Sequence, residues 1–209
     1  MVTPPREPAA TDPIPLPPPA VTGTVPLEAV LAARRSVRYF SRRPLLLAEL
    51  GQLLWAGQGV SDRSGLRTAP SAGARYPVEL SAVVGGLEGL APGVYRYWPQ
   101  GHALSLTAAG DRRAALAAAA LGQSWVQDAP VSIAISAAYE RTTGRYGERG
   151  VRYVHMDVAA AGENILLQAV ALGLGAVMVG AFRDEAAHLT LALPPAERLL
   201  LLIPIGHPR

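Results

Sequence analysis

The segment AARRSVRYF, residues 32–40, gathers three arginines and a serine into five positions: Arg34, Arg35, Ser36 and Arg38. Like charges placed this closely repel one another unless an anion or acidic side chains relieve them. A guanidinium group binds phosphate through two parallel hydrogen bonds, and the Ser36 hydroxyl adds a further donor. The pattern therefore fits a terminal-phosphate site, and it fits equally a solvated basic helix end that the helix dipole stabilises.

Two further segments are built from small residues. APSAGARYP, residues 69–77, places small side chains between Pro70 and Pro77, so that a ligand can approach the backbone and accept its N–H hydrogen bonds. VMVGAFRD, residues 177–184, runs from a predicted buried strand into Gly180 and Ala181, and small residues at the end of a strand also leave room for a ligand. By itself the first segment is also compatible with an ordinary surface turn, and the second alone favours a tight strand-to-helix turn.

The residue inventory excludes several chemistries. Cysteine and lysine are absent, which rules out disulfides, thiolate sites, Schiff-base lysines and a Walker-type phosphate lysine. The four histidines are far apart in the sequence, so no metal site is expected. There is no G-x-S-x-G motif and the carboxylates are scattered, so no catalytic side chain is expected either. A phosphate grip with backbone donors is typical of a protein whose cofactor carries out the chemistry.

Charge and hydropathy narrow the range of partners. The formal net charge is only +3, although the sequence pI is about 9.6, and we therefore expect no nucleic-acid partner. No run of about 18 apolar residues predicts a membrane span, and no basic-then-apolar signal region begins the chain. We expect a cytoplasmic protein with no membrane partner.

The elements that must position these segments follow from hydrophobic periodicity. Residues 1–25 form a proline-rich leader, expected to be flexible or to wrap a partner subunit, and residues 26–209 form one domain. Helices are predicted over 26–36, 45–57, 111–121, 151–175 and 184–193, strands over 78–87, 93–107 (a hairpin), 129–139, 175–182 and 198–208, and loops over 59–77 and 140–150. The order of helices and strands predicts a three-layer α+β sandwich.

Taken together, the motifs resemble the FMN-dependent nitroreductase family, and within it the branch of the SagB-type thiazoline/oxazoline dehydrogenases. The resemblance runs from about Val25 to Pro208 and rests on the order and spacing of six motifs: RRSVRYF (34–40), APSAGARYPVEL (69–80), GVYRY (93–97), ENILLQAVALGLG (163–175), VGAF (179–182) and IPIG (203–206). It implies an α/β/α sandwich with a mostly antiparallel central sheet. It also implies a domain-swapped homodimer with FMN at the interface.

The resemblance implies a role for each candidate site residue. Arg34, Arg35, Ser36 and Arg38 would hold the FMN phosphate and ribityl end, with Arg209 as a second basic residue; Pro70, Ser71, Ala72 and Gly73 of the partner subunit would line the isoalloxazine; Gly180 and Ala181 would face the ring, with a backbone N–H directed at flavin N5. Tyr76, Trp125 and Tyr146 are candidate substrate contacts. Many nitroreductases have an asparagine where this chain has Ala74 followed by Arg75, which favours the SagB-like branch.

The expected function is a two-step redox cycle through the flavin. Hydride would enter at N5 from NAD(P)H and leave to a small-molecule acceptor such as a nitroaromatic compound or a quinone. One alternative is an azoline dehydrogenase, which would oxidise a heterocycle in a modified peptide and reoxidise the flavin with O2. A second alternative is a non-catalytic flavin-binding protein.

Overall fold

One seven-stranded sheet forms the centre of the computed structural model, which describes residues 12–209. Its strands are β1 (Ile14–Pro15), β2 (Val78–Val84), β3 (Gly93–Trp98), β4 (Ala103–Ala109), β5 (Val131–Ala137), β6 (Gly175–Ala176) and β7 (Arg198–Gly206). They lie in the order β1-β4-β3-β2-β5-β7-β6, and every pairing between neighbours is antiparallel. The predicted mostly antiparallel sheet is confirmed.

Helices cover both faces of this sheet. They are α1 (Leu27–Ala33), α2 (Leu47–Gln58), α3 (Arg113–Ala119), α4 (Ser124–Asp128), α5 (Glu140–Tyr146), α6 (Arg149–Ala171) and α7 (Asp184–Leu191), with a short 3-10 turn at Ala72–Ala74. Alternate residues of a strand point to opposite faces. Leu80 and Ala82 accordingly join the core under α2 and α6, while Val83 joins the core under α3 and α7. The predicted three-layer architecture is therefore confirmed.

Small residues in α6 let this helix lie close to the sheet. A Cβ atom added at Gly162 would be 2.9 Å from the side chains of both Leu201 and Met178, which is too close for any real side chain. Ala161 and Ala169 on the same helix are fully buried. The small-residue stretch thus packs α6 against β7. None of the helices in residues 12–209 is long and apolar enough to cross a membrane.

Two local predictions were wrong. Residues 140–146 are a helix rather than a loop, because Thr143 and its neighbours hydrogen-bond back to Tyr139 and the helix continues to Gly147, whose φ is +58°. The strand predicted over 175–182 is regular only at Gly175–Ala176, and Val179 pairs singly with Leu202. The ladder between β6 and β7 stops after Ala176, because the next partner on β7 is Pro204, which has no N–H to donate.

Residues 12–20 run along one edge of the same chain's sheet. Ile14 and Pro15 pair with β4, Leu16 is buried, and Ala20 exchanges two hydrogen bonds with the side chain of Gln52, at 2.8 and 3.0 Å. Residues 1–11 lie outside the described residues. The division into a leader, flexible or wrapped around a partner, and a domain from residue 26 remains a prediction.

Candidate cofactor site

The arginine segment lies against the sheet rather than within a helix. Helix α1 ends at Ala33, and the chain continues extended, so that Ser36 pairs in parallel with Ala176 and the Val37 N–H donates to the Ala176 carbonyl at 3.0 Å. Gly175 makes this approach possible, because a side chain there would overlap Val37. The basic residues are therefore displayed along the edge formed by β6.

The arginines of this segment have different partners. Arg35 donates from Nη1 to the carbonyls of Ala32 and Arg34, at 3.0 and 2.7 Å, which are the contacts of a residue that caps the end of α1. Arg34 lies 3.7 Å from the carboxylate of Glu163 on α6, and both side chains are partly exposed. Only Arg35 therefore makes the contacts expected of a basic helix end.

Arg38 contacts a predicted substrate residue. Its guanidinium lies 5.4 Å from the centroid of the Trp125 ring, within the range of a cation–π interaction. The Trp125 Nε1–H is buried and has no hydrogen-bond partner within residues 12–209. Trp125 is held on α4, so α4 and the arginine segment are joined at this point.

The carboxyl terminus returns to the arginine segment. Phe40 pairs with Pro208, the Ser41 N–H donates to the His207 carbonyl at 2.8 Å, and the Arg209 N–H donates to the Tyr39 carbonyl at 3.2 Å. The side chain of Arg209 is exposed. The fold therefore places Arg209 beside the arginine segment, although nearly 170 residues separate them in sequence.

The small-residue loop is anchored to α6. Ser71 donates from Oγ to Oδ2 of Asp157 at 2.7 Å, and the Ala72 N–H donates to Oδ1 at 3.4 Å. The Ser71 Oγ also accepts the Tyr76 N–H at 2.8 Å, which closes the turn. Pro70, just before this turn, is exposed. Burial raises the pKa of Asp157, and the two hydrogen bonds from the loop lower it in part.

Two predicted substrate tyrosines pack on this loop. The Tyr146 hydroxyl lies over Gly73, where a Cβ atom would overlap it, and Gly73 has φ +59°. Tyr76 itself has φ +46°, and its ring stacks under Arg67, whose guanidinium is 4.6 Å from the ring centroid. Arg141 fixes the other end of the loop by donating to the Tyr76 carbonyl at 2.9 Å. Tyr146, Tyr76 and Gly73 thus form one packed unit.

The Gly180–Ala181 turn is open. Both residues are exposed, and a Cβ atom at Gly180 would meet nothing within 4 Å. The Ala181 carbonyl accepts a hydrogen bond from Gln123 at the start of α4, at 2.9 Å. Gly180 borders an open cavity of about 710 Å³, which is lined also by Tyr139, Phe182, Asp184, Glu185, His188, Leu189, Arg198, Leu199 and Leu200.

Sequence reasoning overlooked Asp157 and Gln123. The signal for Asp157 was present, since it is a single acidic residue in the small-residue stretch HMDVAAAG of a predicted helix. Its partner Ser71 is 86 positions away, and that pairing depends on the fold. Gln123 precedes a helix of five residues that is too short to be recognised from periodicity.

Comparison with known proteins settles the family. The profile described as the Nitroreductase family matches residues 31–207. This chain belongs to the nitroreductase family. It is 45% identical over 182 residues to a Methanocaldococcus jannaschii protein named "Putative nitroreductase", covering 87% of this chain and 91% of that one. A Ralstonia eutropha nitroreductase-like structure is 30% identical, with a TM-score of 0.83 and coverage of 100% and 95%. One from Anabaena variabilis is 30% identical with a TM-score of 0.78, covering 88% of this chain and 38% of that longer chain.

The more distant relatives of this nitroreductase-family chain include one curated protein and two solved structures. The trifolitoxin operon protein TfxC of Rhizobium leguminosarum is 27% identical over 177 residues, and this chain spans about half its length. Two structures share the fold: the E. coli microcin synthetase McbBCD complex (23% identity, TM-score 0.75, coverage 84% and 70%) and an NADPH:FMN oxidoreductase of Vibrio harveyi complexed with NAD+ (20% identity, TM-score 0.64, coverage 87% and 68%). TfxC supports the SagB-like branch named from the sequence, and the two structures, both under 25% identical, show the fold alone.

Proposed function

We propose that this chain is an FMN-dependent oxidoreductase that takes hydride from NAD(P)H and passes it to a small acceptor, such as a nitroaromatic compound or a quinone. The observation that carries the proposal is the convergence of the arginine segment and Arg209 on the edge beside β6. The open Gly180–Ala181 turn lies four residues beyond Ala176 on the same stretch of chain. An anion-binding site next to an open backbone turn suits a nucleotide-like cofactor.

The arginine segment fits a phosphate monoester. Arg34, Arg38 and Arg209 are at least partly exposed, and the Ser36 hydroxyl makes no hydrogen bond within the described chain. These four side chains would hold the phosphate of FMN with charge-assisted hydrogen bonds. Arg35 already donates to two carbonyls, so it would contribute positive charge to the site rather than a bidentate hydrogen bond to the phosphate.

The two small-residue turns fit the ring. Within residues 12–209 the N–H groups of Gly73, Gly180 and Ala181 have no backbone or side-chain acceptor, and all three residues are exposed. Such donors would orient the polar edge of the ring and stabilise negative charge that develops there. Bound FMN would supply hydride transfer at N5. Trp125, Tyr76 and Tyr146 would then shape the substrate side of the site.

We propose further that two copies complete each site. The 71–76 loop contacts α5 and the first half of α6, whereas the arginine segment contacts β6, α4 and Glu163. Large apolar side chains remain exposed on the two helices that would meet a second copy: Leu27, Leu31, Val151 and Met156. Contiguous exposed apolar patches mark association surfaces, and these side chains would contribute to such a patch in the dimer.

The azoline dehydrogenase is the second candidate. Ala74–Arg75 in the loop and the likeness to McbBCD, solved with a truncated pro-MccB17, favour a substrate carried on a peptide. The two candidates differ in the direction of hydride flow. Rapid reduction of the bound flavin by NAD(P)H supports the reductase. Reduction only by an azoline-containing peptide, followed by reoxidation with O2, supports the dehydrogenase.

The absorption spectrum of the purified protein is the first test. Flavin bands with close to one FMN per chain support the proposal, and a protein that neither carries nor binds added FMN contradicts it. Arg34→Ala and Arg38→Ala should then weaken FMN binding, measured by quenching of flavin fluorescence. Arg63→Ala is the matched control, because Arg63 is an exposed arginine in the separate 61–66 turn.

A further inference from the structure

Asp157 is a buried acidic residue that has no part in the proposed hydride transfer. It is 6% exposed and lies on α6, where its two carboxylate oxygens accept from the Ser71 hydroxyl and the Ala72 N–H. Ser71 in turn accepts from the Tyr76 N–H, so that one carboxylate and one hydroxyl join the beginning of the turn to its end. No other carboxylate bonds to the turn within the described residues.

We infer that Asp157 is a positioning residue, which holds the 71–76 turn in its ligand-ready conformation before any ligand binds. The inference rests on the proposed function for the nature of the ligand, the polar edge of a flavin ring. Asp157 acts through Ser71 and Ala72 and has no contact with the reacting atoms.

A count of backbone donors shows what this anchoring achieves. The Ala72 N–H is bonded to Asp157, the Ala74 N–H to the Ser71 carbonyl at 3.0 Å, the Arg75 N–H to the Ala72 carbonyl at 3.3 Å, and the Tyr76 N–H to the Ser71 hydroxyl. Within residues 12–209, the Gly73 N–H alone among these five has no acceptor. The Ser71 N–H at the start of the turn has no acceptor among the described residues either, so the turn satisfies most of its own donors and leaves the N–H groups of Ser71 and Gly73 for a ligand.

The turn needs an anchor because its backbone is strained. Ala74 and Tyr76 have φ values of +52° and +46°, in the left-handed region that non-glycine residues avoid. A free peptide with this sequence would relax to other conformations. Loss of Asp157 releases Ser71 and Ala72 and leaves the Ser71 hydroxyl, which accepts from Tyr76, without its anchor, while Arg141 still holds the Tyr76 carbonyl.

The choice of a carboxylate also favours a positioning role. Two donors of the loop face Asp157, and a carboxylate can accept from both, whereas an amide would present its own NH2 group to one of them. Burial raises the pKa of Asp157, so the ionised form carries a desolvation cost that an apolar residue would avoid. A residue selected for stability alone has no need of that charge.

Hydrogen exchange and FMN binding together test the inference. Amide exchange in the apoprotein, followed by NMR, should become at least about tenfold faster at Ala72 in Asp157→Ala, since the hydrogen bond lost there involves a charged acceptor. Exchange at Tyr76 should also become faster, because its acceptor Ser71 is no longer held by Asp157. FMN affinity should fall by about tenfold, and the visible absorption bands of the bound flavin should shift. The Asp157→Asn variant keeps one acceptor oxygen and should lie between.

Two controls sharpen the result. Gln168→Ala removes a partly buried side-chain hydrogen bond from the same helix, to Gln52, and should leave loop exchange and FMN affinity unchanged. Ser71→Ala combined with Asp157→Ala should cost less than the sum of the two single changes, because both break the bond between Ser71 and Asp157. Effects that simply add, or a lower melting temperature with wild-type loop exchange, would overturn the inference. Faster loop exchange in a protein that binds no FMN would support the positioning role and contradict the proposed function.

Discussion

Replacement of Gly73 by alanine should destabilise the protein through a clash with one identifiable atom. The residue has φ +59°, and a methyl group there would overlap the Tyr146 hydroxyl oxygen. The left-handed backbone costs an alanine about 1–2 kcal/mol. Forcing the tyrosine aside adds about 1–3 kcal/mol, so the free energy of unfolding should fall by about 2–5 kcal/mol in all.

A second change separates these two costs. In a Tyr146→Phe background the hydroxyl is absent, and the nearest remaining ring atom, Cζ, is 3.3 Å from the position of the new methyl group. That contact is tight, but a small movement of the ring relieves it. Gly73→Ala should therefore cost only about 1–2 kcal/mol in this background, the backbone contribution alone.

Urea denaturation of the four proteins measures the coupling. The wild type, both single variants and the double variant are compared at one pH and without added flavin, so that cofactor binding does not contribute. Positive coupling of more than about 1 kcal/mol is expected, since the two residues are in direct contact. Equal losses from Gly73→Ala in both backgrounds would refute the assignment of the clash to the Tyr146 hydroxyl.

Three further predictions concern charge. Arg35→Ala should weaken FMN binding less than Arg38→Ala in a fluorescence titration, because Arg35 is engaged by carbonyls; equal losses would contradict this. Glu197→Gln should lower the free energy of unfolding by about 1–3 kcal/mol, since the buried Arg96 loses its bidentate partner and keeps only Glu79, 3.4 Å away; a neutral result in urea denaturation would be contrary evidence. Burial lowers the pKa of His102, so the unfolded chain binds more protons below about pH 6.5 and stability should fall as the pH drops below that value. The fall in the urea midpoint between pH 7 and pH 5 should be smaller in His102→Gln than in the wild type. An equal fall in the two proteins would show that His102 does not cause this pH dependence.

The parts of the fold that follow a repeating pattern could be predicted from the sequence. The apolar repeat of residues 45–57 corresponds to α2, whose buried face includes Leu50, Leu53 and Leu54. The continuous apolar run of residues 198–208 corresponds to β7, which has neighbours on both sides. In such elements the pattern is itself the cause of the structure, because burial of that face stabilises it.

The parts that failed depend on distant contacts. Residues 140–146 are mostly polar, so no repeat marks the helix α5, which is held by its packing on α6. Similarly, the sequence grouped Arg34, Arg35 and Arg38 as one cluster. It did not show that each arginine has a different partner in the fold, namely the end of α1, Glu163 and Trp125. The anchoring of the 71–76 loop by Asp157 was hidden for the same reason.

The pairing of β1 with β4 has a consequence for how the sheet ends. Along a strand the N–H groups point alternately to the two sides. The Leu16 N–H donates towards β4, to the His102 carbonyl, so the N positions of residues 13, 15 and 17 face outward. All three are prolines and have no hydrogen to donate. An incoming strand would find no N–H donors along residues 13–17, so the alternating prolines protect this edge of the sheet against edge-to-edge aggregation.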